Sequence, residues 1–363
     1  MFVALRDLRF AKGRFALMGS VVLLITLLVT MLSGLTEGLA RDSGSAVQDL
    51  PADRVVFGTG GTADGKPSFS DSRIGREALE GWRAVPGVAA EPLGISMGRI
   101  SFGPSGEQGT SGERGASVAL FGVGDRDRAR PPSAGQVVLS AGLAGDTGLK
   151  AGDTVRISGR PFTVAGTGGA ASYSHAPVAW IGLDDWHAVD PQGGDRAATV
   201  LLLRVSGYPD LDAVDRRLGT ATVARGDARS AIPSFSAENG SLQLMRAFLF
   251  AISALVIGAF FTVWTIQRRG DVAVLKALGA STGYLLRDAL AQAVLVLLAG
   301  AGIGGAAGGL AGLAVSGSVP FVVSAGTTVL PVAVMVLLGA AGAALAIRRI
   351  TSVDPLTALG AAR

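Results

Sequence analysis

The chain has 363 residues, of which 49% are hydrophobic and 17% are charged. It is too apolar for an ordinary soluble protein and too charged to lie wholly within a membrane, so we expect a membrane part and a polar domain. The sequence contains no cysteine, which excludes disulfides, thiolate metal sites and a thiol nucleophile, and its net charge is only +4. Because the basic residues lie beside the apolar segments, they indicate membrane orientation rather than a nucleic-acid partner.

The first 37 residues predict a membrane anchor. Residues 1–14 carry four basic side chains and have apolar positions at helical spacing, which is typical of an interfacial helix on the cytoplasmic leaflet. Residues 15–37 follow as a first crossing, TM1, long enough for the ~30 Å hydrocarbon layer. A cleaved signal peptide is the alternative, but the apolar run is longer than the roughly 7–15 residues of a signal core.

Residues 38–244 are rich in Gly, Asp, Arg, Ser and Pro and contain short apolar runs. This pattern predicts a mixed α+β domain that is large enough for its own core. The predicted strands are 54–58, 118–123, 154–158, 161–165, 178–181 and 199–205. The predicted helices are one capped at Ser70 and Asp71 and ending at Arg83, and one at 210–218. Glycine-rich stretches at 58–62 and 103–115 are predicted to be mobile loops.

A second crossing, TM2, is predicted at residues 245–266, and a basic segment follows at 267–287. Apolar residues recur every three positions in this segment, which indicates a short helix lying along a surface. These apolar residues are Val272, Leu275 and Leu278. Basic residues predict that the segment is cytoplasmic. They are Arg268, Arg269 and Lys276.

Two further crossings complete the membrane part: TM3 at 288–315 and TM4 at 329–347, joined by an outer loop at 316–328. Four glycines of TM3 recur at every fourth position and predict a helix face where another helix packs closely. They are Gly300, Gly304, Gly308 and Gly312. The tail at 348–363 and the N-terminus are basic, whereas the outer loop has no basic residue. We therefore expect a multi-pass cell-membrane protein with both termini cytoplasmic and the large domain outside.

The predicted fold class is thus four transmembrane α-helices with a large extracytoplasmic α+β domain inserted between helices 1 and 2. Residues 268–281 read Arg-Arg-Gly-Asp-Val-Ala-Val-Leu-Lys-Ala-Leu-Gly-Ala-Ser. This run after a membrane helix resembles the signature of the FtsX/MacB-type ABC transporter permeases, in which it is a coupling helix that docks on the ATPase subunit. Asp271 stands where the family usually has a glutamate. The resemblance implies two copies of a separate ATPase, which would bind ATP, and a homodimer of this chain.

No catalytic constellation is predicted in the chain itself. Residues 60–66 have the Gly-x4-Gly-Lys spacing of a phosphate loop, but Pro67 replaces the required Ser or Thr and disfavours the helix that should follow. His175 and His187 lie near Asp184 and Asp185 in sequence without a metal-binding spacing, so structural roles are expected for them. We expect no metal site and no permanently bound cofactor.

Residues 5–19 are similar to the N-terminus of the heme-exporter permeases of Gram-positive bacteria, which implies heme as the substrate. Glu37, at the outer end of TM1, is the side chain favoured to line a heme site; alternatively, it is simply the first residue in contact with water. Met31 is a possible neighbour, although six residues of helix turn it roughly 240° from Glu37. Membrane lipid would surround the pathway.

Two other functions remain open. A permease of the same build could move another amphiphile, such as a lipid, a lipoprotein or an antimicrobial peptide. Alternatively, the chain could be a mechanotransmission regulator that moves no substrate and uses its outer domain to switch a cell-wall hydrolase.

Overall fold

The computed structural model describes residues 12–59, 66–103, 114–124, 132–190, 196–267, 270, 274 and 279–351. The chain divides into two compact units. One comprises residues 1–39 and 240–363, and the other comprises residues 40–239. The predicted interfacial helix at 1–14 lies almost wholly outside the described residues.

Among the described residues, four long helices are apolar enough to cross a membrane. In chain order they are α1 (Lys12–Gln48), α6 (Pro233–Gln267), α7 (Thr282–Val315) and α8 (Ala325–Thr351). Each is longer than its predicted crossing. The outer loop is correspondingly shorter than predicted, because α8 begins at Ala325. Ser324 caps this helix: its hydroxyl accepts a hydrogen bond from the Thr327 amide at 3.2 Å.

The core of the membrane unit draws buried side chains from all four helices. Met18 and Val22 of α1 meet Phe261 of α6, Leu297 of α7 and Met335 of α8 in one cluster. Large apolar side chains on the outward faces, such as Leu255 and Leu310, are exposed. An apolar interior with an apolar exterior suits a helix bundle whose solvent is lipid.

The remaining elements form the extracytoplasmic unit. Its strands are β1 (Arg54–Gly58), β2 (Ile74–Gly75), β3 (Val88–Phe102), β4 (Arg114–Val123), β5 (Gln136–Leu139), β6 (Thr154–Ile157), β7 (Arg160–Thr167), β8 (Ser172–Tyr173), β9 (Ala176–Gly182), β10 (Arg196–Ala198), β11 (Val200–Val205) and β12 (Thr220–Ala224). Its short helices are α2 (Arg76–Arg83), α3 (Ala141–Thr147), α4 (Leu183–Val189) and α5 (Leu211–Leu218).

Within the described part of this unit, ten strands make one sheet: nine follow the order β12-β1-β11-β3-β4-β9-β5-β7-β6, and β8 pairs with β9. The long strand β3 pairs with β4 along one edge and with two other strands in turn along the opposite edge. Its first half pairs antiparallel with β11, and near its end Ile100 pairs with Ile157 of β6. This second pairing closes one part of the sheet on itself around a core that contains Leu120, Leu139 and Trp186.

Each predicted strand matches an observed one, and two of them, 154–158 and 199–205, extend one residue beyond β6 and β11. The predicted helix at 210–218 is α5, whose cap is the Asp210 carboxylate accepting from the Ala213 amide. The prediction that Ser70 and Asp71 cap a helix was wrong, because β2 intervenes and α2 begins only at Arg76. The predicted loops at 58–62 and 103–115 fall largely outside the described residues, but Gly58 ends β1 and Gly115 lies in β4.

Candidate substrate and coupling sites

One face of α1 is buried and polar. Thr26, Thr30 and Ser33 are 0%, 1% and 3% exposed, and their hydroxyls have no hydrogen-bond partner among the described residues. Glu37 follows Ser33 by four residues, so the half-buried carboxylate continues the same helix face. This face therefore leads from buried hydroxyls to an ionisable group.

Met31 lies on a different face of α1. Leu24 and Leu28, which precede it by seven and three residues, are 58% and 54% exposed. Because α1 is a single continuous helix at these positions, Met31 and Glu37 do not share a face. The two predicted substrate residues of one chain are therefore not brought together.

The loop between α7 and α8 packs against α1 on either side of Glu37 in sequence. The Val322 amide donates to the carbonyl of Gly34 at 3.1 Å. A methyl group on Gly38 would overlap the carbonyl of Pro320, and one on Gly34 would overlap the ring of Phe321. Glycines on this part of α1 thus allow the loop to approach the helix near the candidate carboxylate.

The four glycines of α7, Gly300, Gly304, Gly308 and Gly312, face close neighbours. A methyl group on Gly300 would lie 2.8 Å from the carbonyl oxygen of Gly19, and one on Gly304 would overlap the carbonyl oxygen of Leu23. At Gly308 the nearest atom is Cβ of Thr30, at 3.0 Å, and at Gly312 it belongs to the Phe321 ring. Three of these glycines therefore lie directly against α1.

The predicted coupling residues, Arg268, Arg269, Asp271, Val272, Leu275, Lys276 and Leu278, lie outside the described residues. Around them, α6 ends at Gln267, Gly270 and Val274 are helical, and Val274 is 60% exposed. The Ser281 hydroxyl then caps α7 by accepting from the Tyr284 amide at 3.3 Å.

The histidines occupy two different settings. Nε2 of His187 lies 3.0 Å from the Ala197 carbonyl oxygen. His175 lies between Asp42 and Glu238, with a ring nitrogen 3.0 Å from each carboxylate. No local sequence pattern indicates this cluster, because both partners are more than sixty residues away from His175 along the chain. Asp184 and Asp185, which lie near the two histidines in sequence, are not part of the cluster formed by His175, Asp42 and Glu238.

A buried ion pair fixes the end of α4. The side chains of Arg196 and Asp190 are 7% and 3% exposed, and their nearest charged atoms are 3.6 Å apart. The guanidinium also stacks 5.0 Å from the Trp186 ring and donates to the hydroxyl of Thr199. Burial lowers the pKa of Arg196 below its ordinary value, partly offset by Asp190. The pair therefore joins the C-terminal cap of α4 to the first residue of β10.

Known proteins match the chain along its whole length. A family model described as MacB-like periplasmic core domain matches residues 15–221, and one described as FtsX-like permease C-terminal matches residues 244–355. The first match covers more than half of the chain, so the chain belongs to the FtsX/MacB-type permeases of ABC transporters.

Among the relatives, a protein of Staphylococcus haemolyticus named hemin transport system permease protein HrtB is 24% identical over 363 residues, with 99% of both chains covered. An uncharacterized ABC transporter permease of Mycobacterium bovis is 25% identical over 373 residues, again covering 99% of both. The crystal structure of the periplasmic region of MacB from Actinobacillus actinomycetemcomitans is similar over 51% of this chain and 94% of that one, with 13% identity and a TM-score of 0.35.

The chain is therefore a membrane permease with four transmembrane helices and an extracellular domain between the first and the second. As a permease of this class it is a transport subunit, and the class implies an ATPase partner.

Proposed function

We propose that the chain is the permease subunit of an ABC-type exporter that removes heme from the membrane and so protects the cell from it. The observation that carries this proposal is the full-length similarity to permeases named for hemin transport. Heme suits a laterally open membrane site, since it is flat and largely apolar, carries two propionates and partitions into lipid.

In this proposal Glu37 lines the heme site and is a candidate axial ligand of the iron. It is half-buried, follows a stripe of buried hydroxyls and lies where the outer loop meets α1. An ionisable group at this depth is costly unless it serves an anchor or a pathway. Two copies of the chain would form a homodimer and bring two first helices together.

Met31 has a different part in the proposal, because it lies with the exposed Leu24 and Leu28 on the apolar face of α1. It would contact the porphyrin, or the surrounding lipid, from that face. The α7 glycines would set the distance between α7 and α1 and so keep Glu37 in register with the outer loop. They are packing residues in this proposal and bind no ligand.

The energy would come from two partner ATPases that bind ATP and press on the cytoplasmic segment at 268–281. Val272, Leu275 and Leu278 would dock into the ATPase, with the basic residues and Asp271 on the rim. Both chain termini would be on the same cytoplasmic side. To move a two-state population from 1:99 to 99:1, ATP must favour one arrangement of the dimer by about 5.5 kcal/mol.

The test is hemin absorbance of the purified permease–ATPase complex, together with the hemin resistance of cells that carry each variant. We expect Glu37→Ala to shift the absorbance and weaken binding, whereas Asp49→Asn, at an exposed carboxylate just beyond the end of α1, should leave both unchanged. Leu275→Asp should keep hemin binding but abolish resistance and ATPase stimulation.

The outcomes separate the parts of the proposal. An unchanged spectrum and affinity in Glu37→Ala would remove that residue from the site. Full resistance and full ATPase stimulation in Leu275→Asp would remove the segment as the coupler. Absence of any hemin binding to the wild type, with normal hemin resistance of a deletion strain, would exclude heme as the substrate.

A further inference from the structure

A hairpin of the extracytoplasmic unit reaches two helices at once. Its strands are β8 and β9, and its tip is formed by Ser174 and His175, which have left-handed backbone conformations with φ of 50° and 62°. Non-glycine residues adopt this conformation rarely, and its strain must be compensated by the surroundings. The tip is therefore held in place by its contacts.

The first set of contacts is with the outer end of α1. The amide of Ser174 donates to the carbonyl of Ser43 at 2.8 Å, and the amide of Ser172 donates to the hydroxyl of Ser45 at 2.9 Å. Nδ1 of His175 lies 3.0 Å from the Asp42 carboxylate. Two backbone amides and one ring nitrogen thus join the hairpin to α1.

The second set is with the start of α6 and consists of side chains. The hydroxyls of Ser174 and Ser234 are 3.0 Å apart. Nε2 of His175 lies 3.0 Å from both carboxylate oxygens of Glu238. The same nitrogen also lies 2.9 Å from the hydroxyl of Ser43, which belongs to α1. All these residues belong to the extracytoplasmic unit.

The chemistry of imidazole makes these contacts depend on protonation. A neutral ring has one N–H, whereas a carboxylate on each side requires two. In the neutral tautomer that keeps Nδ1–H on Asp42, Nε2 has only a lone pair, which can accept from the Ser43 hydroxyl but repels Glu238. In this tautomer, loss of one proton removes the contact of the ring with Glu238 and preserves its contact with Asp42, while the contact between the Ser174 and Ser234 hydroxyls is unaffected.

We propose that His175 is a positioning residue of the permease: protonated, it fastens the outer ends of both α1 and α6 to the β8–β9 hairpin, and neutral, it holds α1 alone. Because both helices contain predicted membrane crossings, the strength with which the outer domain holds α6 would then change with external pH. This inference rests on the permease class and is independent of the substrate.

The electrostatics agree with this inference. Burial alone lowers the pKa of His175, but the hydrogen bonds and charges of Asp42 and Glu238 outweigh it, so that the pKa lies above its ordinary value of 6.5. The double contact of the His175 ring with Asp42 and Glu238 is therefore complete below pH 6.5, and its Glu238 half is lost as the pH rises through the raised pKa. The adjacent Tyr173 does not interfere, because burial raises the pKa of its phenol and keeps it neutral.

The experiment is a spin-label distance measurement on the full-length permease in nanodiscs. The chain has no cysteine, so Gln48→Cys and Ser236→Cys place one exposed nitroxide label on each helical segment. We expect one narrow distance population at pH 5.5 and a second, longer one that grows as the pH is raised to 8.5. His175→Gln should show the second population at every pH.

Two variants make the result specific. The chain has two histidines, and His187→Gln should keep the wild-type pH response because, among the described residues, no pair of carboxylates flanks His187 as Asp42 and Glu238 flank His175. Glu238→Gln should hold the narrow population at all pH values, since its amide can donate to a neutral Nε2. A wild-type distance that does not change between pH 5.5 and 8.5, or a pH response retained in His175→Gln, would overturn the proposal.

Discussion

Replacement of Gly304 by alanine tests whether the close approach of α7 to α1 stabilises the membrane unit. The added methyl group would overlap the Leu23 carbonyl oxygen and lie 3.0 Å from the Leu23 Cα, whereas ordinary contacts begin at 3.4 Å. Because these atoms are backbone, no rotamer change can relieve the overlap, and the helices must separate. Even at Gly300, where an added methyl group would lie 2.8 Å from the Gly19 carbonyl oxygen, α7 and α1 would have to move apart by about 0.6 Å to restore an ordinary 3.4 Å contact.

Overpacking of this kind typically costs about 1–3 kcal/mol, and the backbone obstacle suggests the upper part of that range. Gly302 provides the matched control, since it is on the same helix, is exposed, and has no atom within 4 Å of an added methyl group. Both variants gain the same helix propensity of alanine, about 1 kcal/mol relative to glycine. The difference between them therefore isolates the packing term, for which we expect about 2–3 kcal/mol.

The assay is thermal unfolding of the purified permease in one detergent, followed by helical circular dichroism. We expect the melting temperatures to fall in the order Gly302→Ala, wild type, Gly304→Ala. Equal stability of the two alanine variants would refute the reasoning, because it would mean that α1 and α7 do not approach each other as closely as the glycines allow.

Two further predictions concern buried polar groups. Thr30→Val removes a buried hydroxyl that has no hydrogen-bond partner among the described residues. The free energy of unfolding measured by chemical denaturation should therefore rise by about 1 kcal/mol. A fall would mean that the hydroxyl is hydrogen-bonded. Asp190→Ala deprives the buried Arg196 of its carboxylate partner and should lower the free energy of unfolding by about 3 kcal/mol. Asp184→Ala, at an exposed position in α4, should leave it nearly unchanged. Equal effects of the two variants would show that burial of the pair is unimportant.

The sequence predicted the strands best where apolar residues alternate or run together between turns, as in β1 and β11. It missed β3, although this is the longest strand of the sheet. Gly94 and Gly98 make its first two-thirds look like a loop, but a methyl group on Gly94 would overlap the ring of Trp186, and one on Gly98 would lie 2.8 Å from a methyl carbon of Leu120. These glycines make room for the large side chains of Trp186 and Leu120, which pack against β3, and only the tertiary structure shows this.

The membrane helices were recognised from their hydropathy, but their ends were not. Hydropathy marks where a helix leaves lipid, and α1 continues to Gln48 because its polar residues there are bound by the outer domain, as Ser43 and Ser45 are by the β8–β9 hairpin. The same reason explains why the His175 cluster could not be predicted. Its three members come from separate elements, and no local pattern joins them.

The pairing of β1 with β12, in which Arg54 lies opposite Ala224, has a consequence for the history of the chain. The first and last strands of the outer domain are neighbours, so the chain enters and leaves the domain through adjacent points of one sheet edge. A module with adjacent ends can be inserted into the connection between two helices without spreading them apart. Its size and surface could then diversify from one permease to the next while the membrane scaffold stayed the same.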